Sequence, residues 1–170
     1  LNNFTIKSQD AVQQAMQIAT VYSQQAIENG HLLKGILAAD ENVTPFILKK
    51  LNVNTPMFLK VLDKIVEAYP KVTGGQPYLS NATNQAIAKA SSYLKEFGDE
   101  YVSIEHLLLG ILASKDTISQ LMKDNGITEK DLKAAIAELR KGAKVTSQTA
   151  EETYNALNKY AINLNEQAKK

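Results

Sequence analysis

Apolar residues recur along the chain at three- and four-residue intervals, and one such stretch occurs twice. Residues 31–37 read HLLKGIL, and residues 105–112 read EHLLLGIL. The shift between the two stretches is 75 positions, so that His31 aligns with His106. This spacing is typical of helices, and a helix that is apolar on nearly all sides is expected in the middle of a fold. The chain therefore predicts a duplicated architecture with one central helix in each copy.

The repeat extends well beyond these two helices. A shift of 75 positions aligns small and apolar residues without a gap, and further along the chain the shift becomes 74. The first copy is predicted over about residues 5–67 and the second over about residues 80–141. The aligned pairs include Ala11 with Ala86, Ala15 with Ala90, Val12 with Ile87 and Leu62 with Ile136.

Capping residues mark the predicted helix starts. Thr5 and Ser80 precede the first helix of each copy, and Ser103 precedes the central helix of the second copy. Side-chain oxygens of Ser and Thr accept free backbone N–H groups in the first turn, which favours a start at these positions. No strand-like alternation bounded by turns is found, so the predicted class is all-α, with a duplicated four-helix motif, eight helices and pseudo-twofold symmetry.

The third and fourth helices of the first copy are expected to be short. Threonine followed by proline at 44–45 and at 55–56 has the order of a cap and a first helical turn. These pairs predict helices over residues 46–51 and 57–66, and the second copy repeats them over residues 117–124 and 128–140.

Breaks in the apolar pattern suggest the domain organisation. Residues 69–78, YPKVTGGQPY, hold two prolines and two adjacent glycines, which predicts a loop joining the copies. The periodicity is lost after residue 142 and returns weakly over residues 151–170. We therefore predict one repeat domain over residues 1–142, followed by a linker and a C-terminal helix over residues 143–170. The last helix has no capping glycine, so a longer parent protein is expected.

Composition narrows the possible functions. Nineteen Lys and Arg residues against eighteen Asp and Glu create no overall field that would attract nucleic acid or an anionic membrane. The absence of cysteine excludes disulfides, thiolate nucleophiles and sulfur-ligated zinc. No apolar run reaches the roughly 20 residues that span a bilayer. We expect a cytoplasmic protein that binds neither nucleic acid nor membrane.

Sequence motifs give no support for catalysis. The phosphate-loop pattern GxxxxGK[ST], the dinucleotide pattern GxGxxG and the hydrolase patterns HExxH and GxSxG are all missing. His31 and His106 hold the same position in the two copies, but two ligands are too few for a zinc site. We expect each imidazole to bond to nearby backbone, and we expect no catalytic residue, metal ligand or cofactor in this chain.

An acidic cluster is the strongest candidate for binding chemistry. Asp99, Glu100 and Glu105 lie within seven residues, with Tyr101 among the apolar residues between them. In one interpretation Asp99 ends a turn and Glu105 complements the positive N-terminal end of a helix. In the other, the carboxylates form the rim of a groove for extended peptide, where they bind amides or basic side chains. The spacing alone does not separate these interpretations.

Several of these stretches together resemble the duplicated Clp N-terminal domain of AAA+ protein unfoldases and disaggregases. The resemblance is carried by Phe4 and the cap Thr5, by the helix EHLLLGIL with its earlier copy HLLKGIL, by the seam PKVTGG and by the tail at residues 150–170. The seam and the tail are most similar to the ClpB type. This resemblance implies a domain that weakly binds exposed apolar segments of unfolded or aggregated proteins and passes them to an ATPase ring.

The resemblance also implies the positions of the site. It assigns substrate binding to Thr5, Asp99 and Glu105, with an apolar groove beside them. Lys89 and His106 stand at groove positions where some relatives carry leucine, which predicts a smaller or more polar groove. The full set of substrate-binding residues implied by the resemblance is Phe4, Thr5, Ile87, Asp99, Tyr101 and Glu105.

Cofactors and further partners are expected only through the parent protein. The resemblance implies that ATP and Mg bind in ATPase modules outside this chain, that the ring is a hexamer, and that a Hsp70-type chaperone system cooperates with the parent. One alternative is a docking module for a folded adaptor protein, as in the ClpA and ClpC types. A further alternative is a spacer that packs on its own ATPase ring.

Overall fold

Eight helices make up most of the part of the chain described by the computed structural model, residues 2–154. None of them is both long and apolar enough to cross a bilayer. The prediction of an all-α protein with two four-helix copies is confirmed, and the remainder of the predicted C-terminal helix, residues 155–170, lies outside the described residues. The helices are α1 (Ile6–Val21), α2 (Asn29–Ala39), α3 (Val43–Lys50), α4 (Thr55–Glu67), α5 (Asn81–Phe97), α6 (Ile104–Ala113), α7 (Thr117–Asp124) and α8 (Glu129–Arg140).

Side-chain caps fix the start of the first helix in each copy. The hydroxyl of Thr5 accepts the backbone N–H of Ser8 at 3.1 Å, and the hydroxyl of Ser80 accepts that of Thr83 at 3.2 Å. These are the caps that the sequence predicted, and they occupy equivalent positions in the repeat. Each satisfies a backbone donor that has no partner within its own helix.

Two helix starts differ from the prediction. α3 begins at Val43, three residues before the predicted start, because the buried carboxylate of Asp40 accepts the backbone N–H groups of Val43 and Thr44. α4 begins at Thr55, and its cap is the preceding Asn54, whose side chain accepts an N–H in the first turn. In both cases the capping side chain precedes the Thr-Pro pair, so the sequence reading placed the helix too late.

Backbone-to-backbone contact joins the first two helices of each copy. A Cβ atom built on Gly35 of α2 would lie 2.2 Å from the carbonyl oxygen of Ala11 on α1. The equivalent atom on Gly110 of α6 would lie 2.1 Å from the carbonyl oxygen of Ala86 on α5. Neither position therefore has room for any side chain, and the small residues on the inner faces of α1 and α5 allow this close approach.

Short parallel pairings, which the sequence did not predict, join the two copies. Phe4 bridges Val102, and strand β1 (Ala26–Ile27) pairs with strand β2 (Tyr78–Leu79), so that Ile27 faces Leu79. Under the 75-residue shift Phe4 corresponds to Leu79 and Ile27 to Val102. The residue after Phe4 donates its N–H to Val102 at 3.0 Å, and the residue after Leu79 donates to Ile27 at 3.1 Å. The residue just before the helix cap of each copy, Phe4 or Leu79, thus pairs with a residue of the other copy.

The core continues into residues that follow the repeat. The side chains of Val145, Ala150 and Tyr154 are buried and belong to the same apolar cluster as α2 and α6. Residues 150–154 are helical. We call residues 145–154 the C-terminal segment, and because it is packed in the core, the compact body extends beyond the predicted boundary at residue 142.

The close helix contact yields a prediction about stability. Gly110→Ala should lower the free energy of unfolding by about 2 kcal/mol, because the added methyl group overlaps the α5 backbone. At an exposed helical site the same change would raise stability by up to about 1 kcal/mol. Urea denaturation of both proteins measures the difference.

The matched control for this change is Ala113→Ser, which adds one heavy atom at an exposed position of the same helix. The control should change the free energy of unfolding by less than about 0.7 kcal/mol. A Gly110→Ala protein that is as stable as its parent would show that the helices separate without cost.

Candidate functional site

Three of the predicted site residues lie in one buried network of charged and polar side chains. It forms where the starts of α1 and α6 meet the end of α8 and the C-terminal segment. The duplication contributes only part of this network, because two of its members, Glu151 and Tyr154, follow the repeat in sequence. The members of this ionic network are Thr5, Asp99, Ser103, Glu105, His106, Arg140, Glu151 and Tyr154.

Asp99 is directed into the network by the turn that ends α5. Gly98 caps this helix in the left-handed conformation, with φ at 69°, which glycine adopts at little cost. The Oδ2 atom of Asp99 accepts from His106 Nε2 at 2.7 Å and from Arg140 Nη1 at 2.8 Å, and Oδ1 accepts from Val145 N–H at 2.9 Å. Burial alone would raise the pKa of Asp99, but these hydrogen bonds outweigh it and hold the pKa below its usual value.

His106 is held in one tautomer by the start of α6. Its Nδ1 atom accepts the backbone N–H of Ser103 at 2.8 Å, so the ring proton lies on Nε2 and is donated to Asp99. The ring is fully buried. The structural interpretation of this histidine, an imidazole bonded to nearby backbone, is confirmed.

His31 repeats this arrangement in the first copy without the charge. Its Nδ1 atom accepts the backbone N–H of Glu28 at 2.9 Å, and its Nε2 atom lies 2.6 Å from Gln24 Oε1. Burial, and to a lesser degree the nearby Lys34, lower the pKa of His31 to about 4. Gln24 occupies the place that Asp99 holds in the second copy, so the imidazole of the first copy faces a neutral amide where that of the second faces a carboxylate. Among residues 2–154, no three His, Asp or Glu side chains are arranged so that they could hold a metal ion.

Glu105 and Arg140 form the central ion pair. The Oε2 atom of Glu105 accepts from Arg140 Nη2 at 2.9 Å. The same oxygen accepts from the hydroxyls of Ser103 at 2.5 Å and Tyr154 at 2.8 Å. Burial alone would lower the pKa of Arg140, but the charge of Glu105 and the hydrogen bonds to Glu105 and Asp99 together contribute to raising it, so the guanidinium stays protonated. Both groups are fully desolvated, so removing either would leave a buried charge without its partner.

Glu151 brings a third carboxyl group into the network. Its Oε2 atom accepts from Thr5 Oγ1 at 2.7 Å and from the backbone N–H of Ile104 at 3.1 Å. Burial and then the charge of Glu105 raise the pKa of Glu151 to about 7. The Oε1 atoms of Glu105 and Glu151 are buried and have no hydrogen-bond partner among residues 2–154. Arg140 is the one guanidinium facing three carboxyl groups in this network, so the network carries excess negative charge.

Of the two interpretations of the acidic cluster, the exposed rim does not fit the burial of Asp99 and Glu105. Thr5 and Glu105 are fully buried, and Asp99 is only 9% exposed, because the C-terminal segment covers all three. Thr5 acts as the predicted cap, and Glu105 lies in the first turn of α6, as the structural interpretation required. The role of these residues in substrate binding stays a prediction.

An open groove lies on the second copy, at the opposite end of α6 from the network. It encloses about 440 Å³ between α5, α6 and the start of α8. Leu109 and Leu112 form an apolar floor, and Lys89 and Lys123 stand at its edges. Lys89 lines this groove, whereas the groove that the resemblance implies beside Thr5, Asp99 and Glu105 stays a prediction.

The other residues assigned by the resemblance lie outside this lining. Ile87 is partly buried against the core, and His106 is fully buried in the network. Phe4 is buried because it bridges the second copy, while Tyr101 is partly exposed before α6. The structure brings Thr5, Asp99, Glu105 and His106 together in the network, whereas Phe4, Ile87 and Tyr101 are not members of it.

Sequence reasoning missed Arg140, Glu151 and Tyr154. Arg140 could have been found, because it is the chain's only arginine among nineteen basic residues. A planar guanidinium can bind two carboxylates at once, which a lysine does poorly. The other two gave no signal, since they lie in the segment that has no copy in the repeat.

The raised pKa of Glu151 yields a prediction about pH. The folded state holds this proton more tightly than the unfolded state does. Its contribution to stability is therefore fully present below about pH 4.5 and is lost as the pH rises through about 7. In the Glu151→Gln variant this loss of stability with rising pH is absent, because the glutamine side chain does not titrate. The stability of the variant relative to the parent should rise by on the order of 2 kcal/mol between pH 4.5 and 7.5.

Urea denaturation of parent and variant at several pH values tests this prediction. The opposite contribution from His31, whose pKa is lowered, is present in both proteins and cancels in their difference. A difference that does not change with pH would mean that Glu151 titrates normally in the folded protein.

Comparison with known proteins agrees with this architecture. The pattern of the Clp repeat (R) N-terminal domain family matches residues 3–125. The chaperone protein ClpB of Bacteroides thetaiotaomicron is 55% identical over 168 residues, which cover 99% of this chain. They cover 20% of that relative, so the chain spans about a fifth of its length.

Solved structures share the fold at low sequence identity. The Hsp104 N-terminal domain from Candida albicans superposes with a TM-score of 0.77 at 19% identity, over 88% of this chain and 99% of that one. The ClpV N-domain in complex with a VipB peptide superposes with a TM-score of 0.66 at 15% identity, over 80% of this chain and 86% of that one. With the family match, these similarities show that the chain belongs to the Clp repeat N-terminal domain family, in which it is of the ClpB type.

Proposed function

We propose that this chain is the substrate-recognition domain of a ClpB-type ATP-dependent chaperone. It weakly binds exposed apolar segments of unfolded or aggregated proteins and passes them to an ATPase ring. The observation that carries the proposal is the open groove with an apolar floor and lysine edges, in a chain related to ClpB along its whole length. In this proposal the hexameric ring, its ATP and Mg, and a Hsp70-type partner belong to the parent protein.

The lining of the groove suits segments of varied sequence. The ammonium group of Lys89 lies 5.3 Å from the ring centre of Tyr93, and that of Lys133 lies 5.2 Å from the same centre. Lysine stems add apolar surface while their charged ends stay in water, so the edges can adapt to different side chains. The Tyr93 hydroxyl donates to Glu129 at 2.6 Å, which fixes the ring between the lysines.

The expected affinity is low. Burial of apolar surface contributes roughly 25 cal/mol per Å², so a contact of a few hundred Å² gains several kcal/mol. Ordering an unfolded chain and losing its translational freedom offset much of this gain. Weak binding suits a domain that must release its client to the ring. Several copies on one ring would raise the overall affinity through a high effective concentration.

A related fold supports peptide binding as a capability of this architecture. The ClpV N-domain was solved in complex with a VipB peptide, and its superposition covers 80% of this chain. At 15% identity this likeness concerns the fold, so the chemistry of binding here rests on the groove described above.

Blocking the groove tests the proposal. Ala113 is exposed and lines the groove, and Ala113→Gln places a longer polar side chain across the apolar floor. We expect binding of an unfolded casein to weaken at least threefold, measured by the concentration dependence of amide NMR shifts around Leu109 and Leu112.

The duplication offers a matched control. Ala38 is the equivalent residue of the first copy and is also exposed, so Ala38→Gln should leave casein binding unchanged. Equal affinities for both variants and the parent would place the binding surface elsewhere. A stoichiometric complex with one folded adaptor, together with no response to casein, would favour the docking alternative instead.

A further inference from the structure

The C-terminal segment covers all three residues that the resemblance assigns to substrate binding. It approaches as an irregular stretch and ends in a helical turn, and it contacts each residue through a direct hydrogen bond. The bonds are Val145 N–H to Asp99 Oδ1 at 2.9 Å, Thr5 Oγ1 to Glu151 Oε2 at 2.7 Å, and the Tyr154 hydroxyl to Glu105 Oε2 at 2.8 Å.

Two backbone hydrogen bonds hold the irregular part of the segment against the starts of α1 and α6. The N–H of Ile6, in the first turn of α1, donates to the carbonyl oxygen of Gln148 at 2.9 Å. The N–H of Glu100 donates to the carbonyl oxygen of Val145 at 2.8 Å. Such main-chain donors accept any sequence, which is the usual source of affinity in the recognition of extended peptides.

The starts of α1 and α6 converge on one carboxyl group. Glu151 Oε2 accepts from the Thr5 hydroxyl and from the N–H of Ile104, the first residue of α6. Both donors lie at the positive end of a helix dipole and therefore favour an oxygen ligand at this point. An acidic or amide side chain of another peptide presents the same oxygen.

The interaction also contains an unfavourable part. Glu105 and Glu151 are both buried, and each keeps one oxygen without a hydrogen-bond partner in the part of the chain that the structure describes. Burying two carboxyl groups near each other costs free energy that their hydrogen bonds only partly offset. The segment is therefore held less tightly than the number of its contacts suggests.

The repeat by itself does not require a C-terminal segment over such a junction, as the equivalent junction of the other half shows. At the equivalent junction of the other half, Ser80 caps α5 and Asn29 opens α2. There the Asn29 side chain donates to Asp116 Oδ2 at 2.7 Å, so helices of the repeat itself close the junction. Within residues 2–154, only the junction of α1 and α6 is closed by residues that follow the repeat.

We propose that the C-terminal segment is an internal competitor for the site formed by Thr5, Asp99 and Glu105. It fills the site in the unliganded domain and leaves when an extended polypeptide segment takes its place. This inference rests on the proposed function and adds its regulation. The ligand is an extended segment whose carbonyl oxygens accept from Ile6 and Glu100 and which carries a carboxyl or amide group at the start of α6.

A reversible disulfide tests the competition. The chain has no cysteine of its own, so the double variant Ile6→Cys, Gln148→Cys contains one cysteine pair for a disulfide. The two positions are hydrogen-bonded through their backbones. We expect the oxidised protein to bind unfolded casein at least fivefold more weakly than the same protein after reduction. Amide NMR signals of Glu100 and Ile104 should respond to casein only in the reduced form.

Two substitutions should shift binding in opposite directions. Tyr154→Ala removes a contact that holds the segment and should strengthen casein binding about fivefold. Glu151→Gln relieves the repulsion from Glu105, tightens the segment and should weaken binding about threefold. A purely structural role for Tyr154 predicts weaker binding, or none, when it is truncated. Tyr78→Ala, at an exposed tyrosine far from α6 in sequence, serves as the control.

The outcomes separate this inference from the proposed function. Equal casein affinity in the oxidised and reduced proteins, with shifts confined to the groove, overturns the competition and keeps the proposed function. No binding by any form overturns both. Weaker binding by Tyr154→Ala, in a protein whose circular dichroism matches the parent, also overturns the competition.

Discussion

The pairing of Phe4 with Val102 is the contact on which the candidate site depends. It places the start of α1 beside the start of α6, so two sets of unsatisfied N–H groups face the same small volume. The reciprocal pairing of Ile27 with Leu79 fixes the same relation in the other half. The residues before the first helix of each copy pair with the other copy. Separating the starts of α1 and α6 would therefore break backbone pairing that joins the two copies.

Charge distinguishes the two junctions. In the first copy a glutamine and a histidine form a neutral pair, whereas in the second an aspartate replaces the glutamine and a glutamate begins the central helix. Arg140 neutralises part of this charge, and its position at the end of α8 links the last helix of the repeat to the first turn of α6. Burial, and after it the charge of Glu105, raises the pKa of Glu151, which makes the contact of the C-terminal segment sensitive to its protonation.

The second copy therefore presents two surfaces of different character. The groove over Leu109 and Leu112 is open and mixes apolar with charged lining, and in the proposed function it makes weak contact with unfolded chains. The junction of α1 and α6 is polar and offers main-chain donors, but the protein's own C-terminal segment fills it.

The helices, the two copies and the caps at Thr5 and Ser80 could be read from the order of residues, because apolar spacing and capping act within a few residues. The sequence also placed Thr5, Asp99 and Glu105 in one site through family resemblance. It could not show that the site is filled, since Glu151 and Tyr154 lie far along the chain and have no counterpart in the repeat. Burial, which turned the expected acidic rim into an ionic network, depends on contacts between distant residues and was decided only when the chain folded.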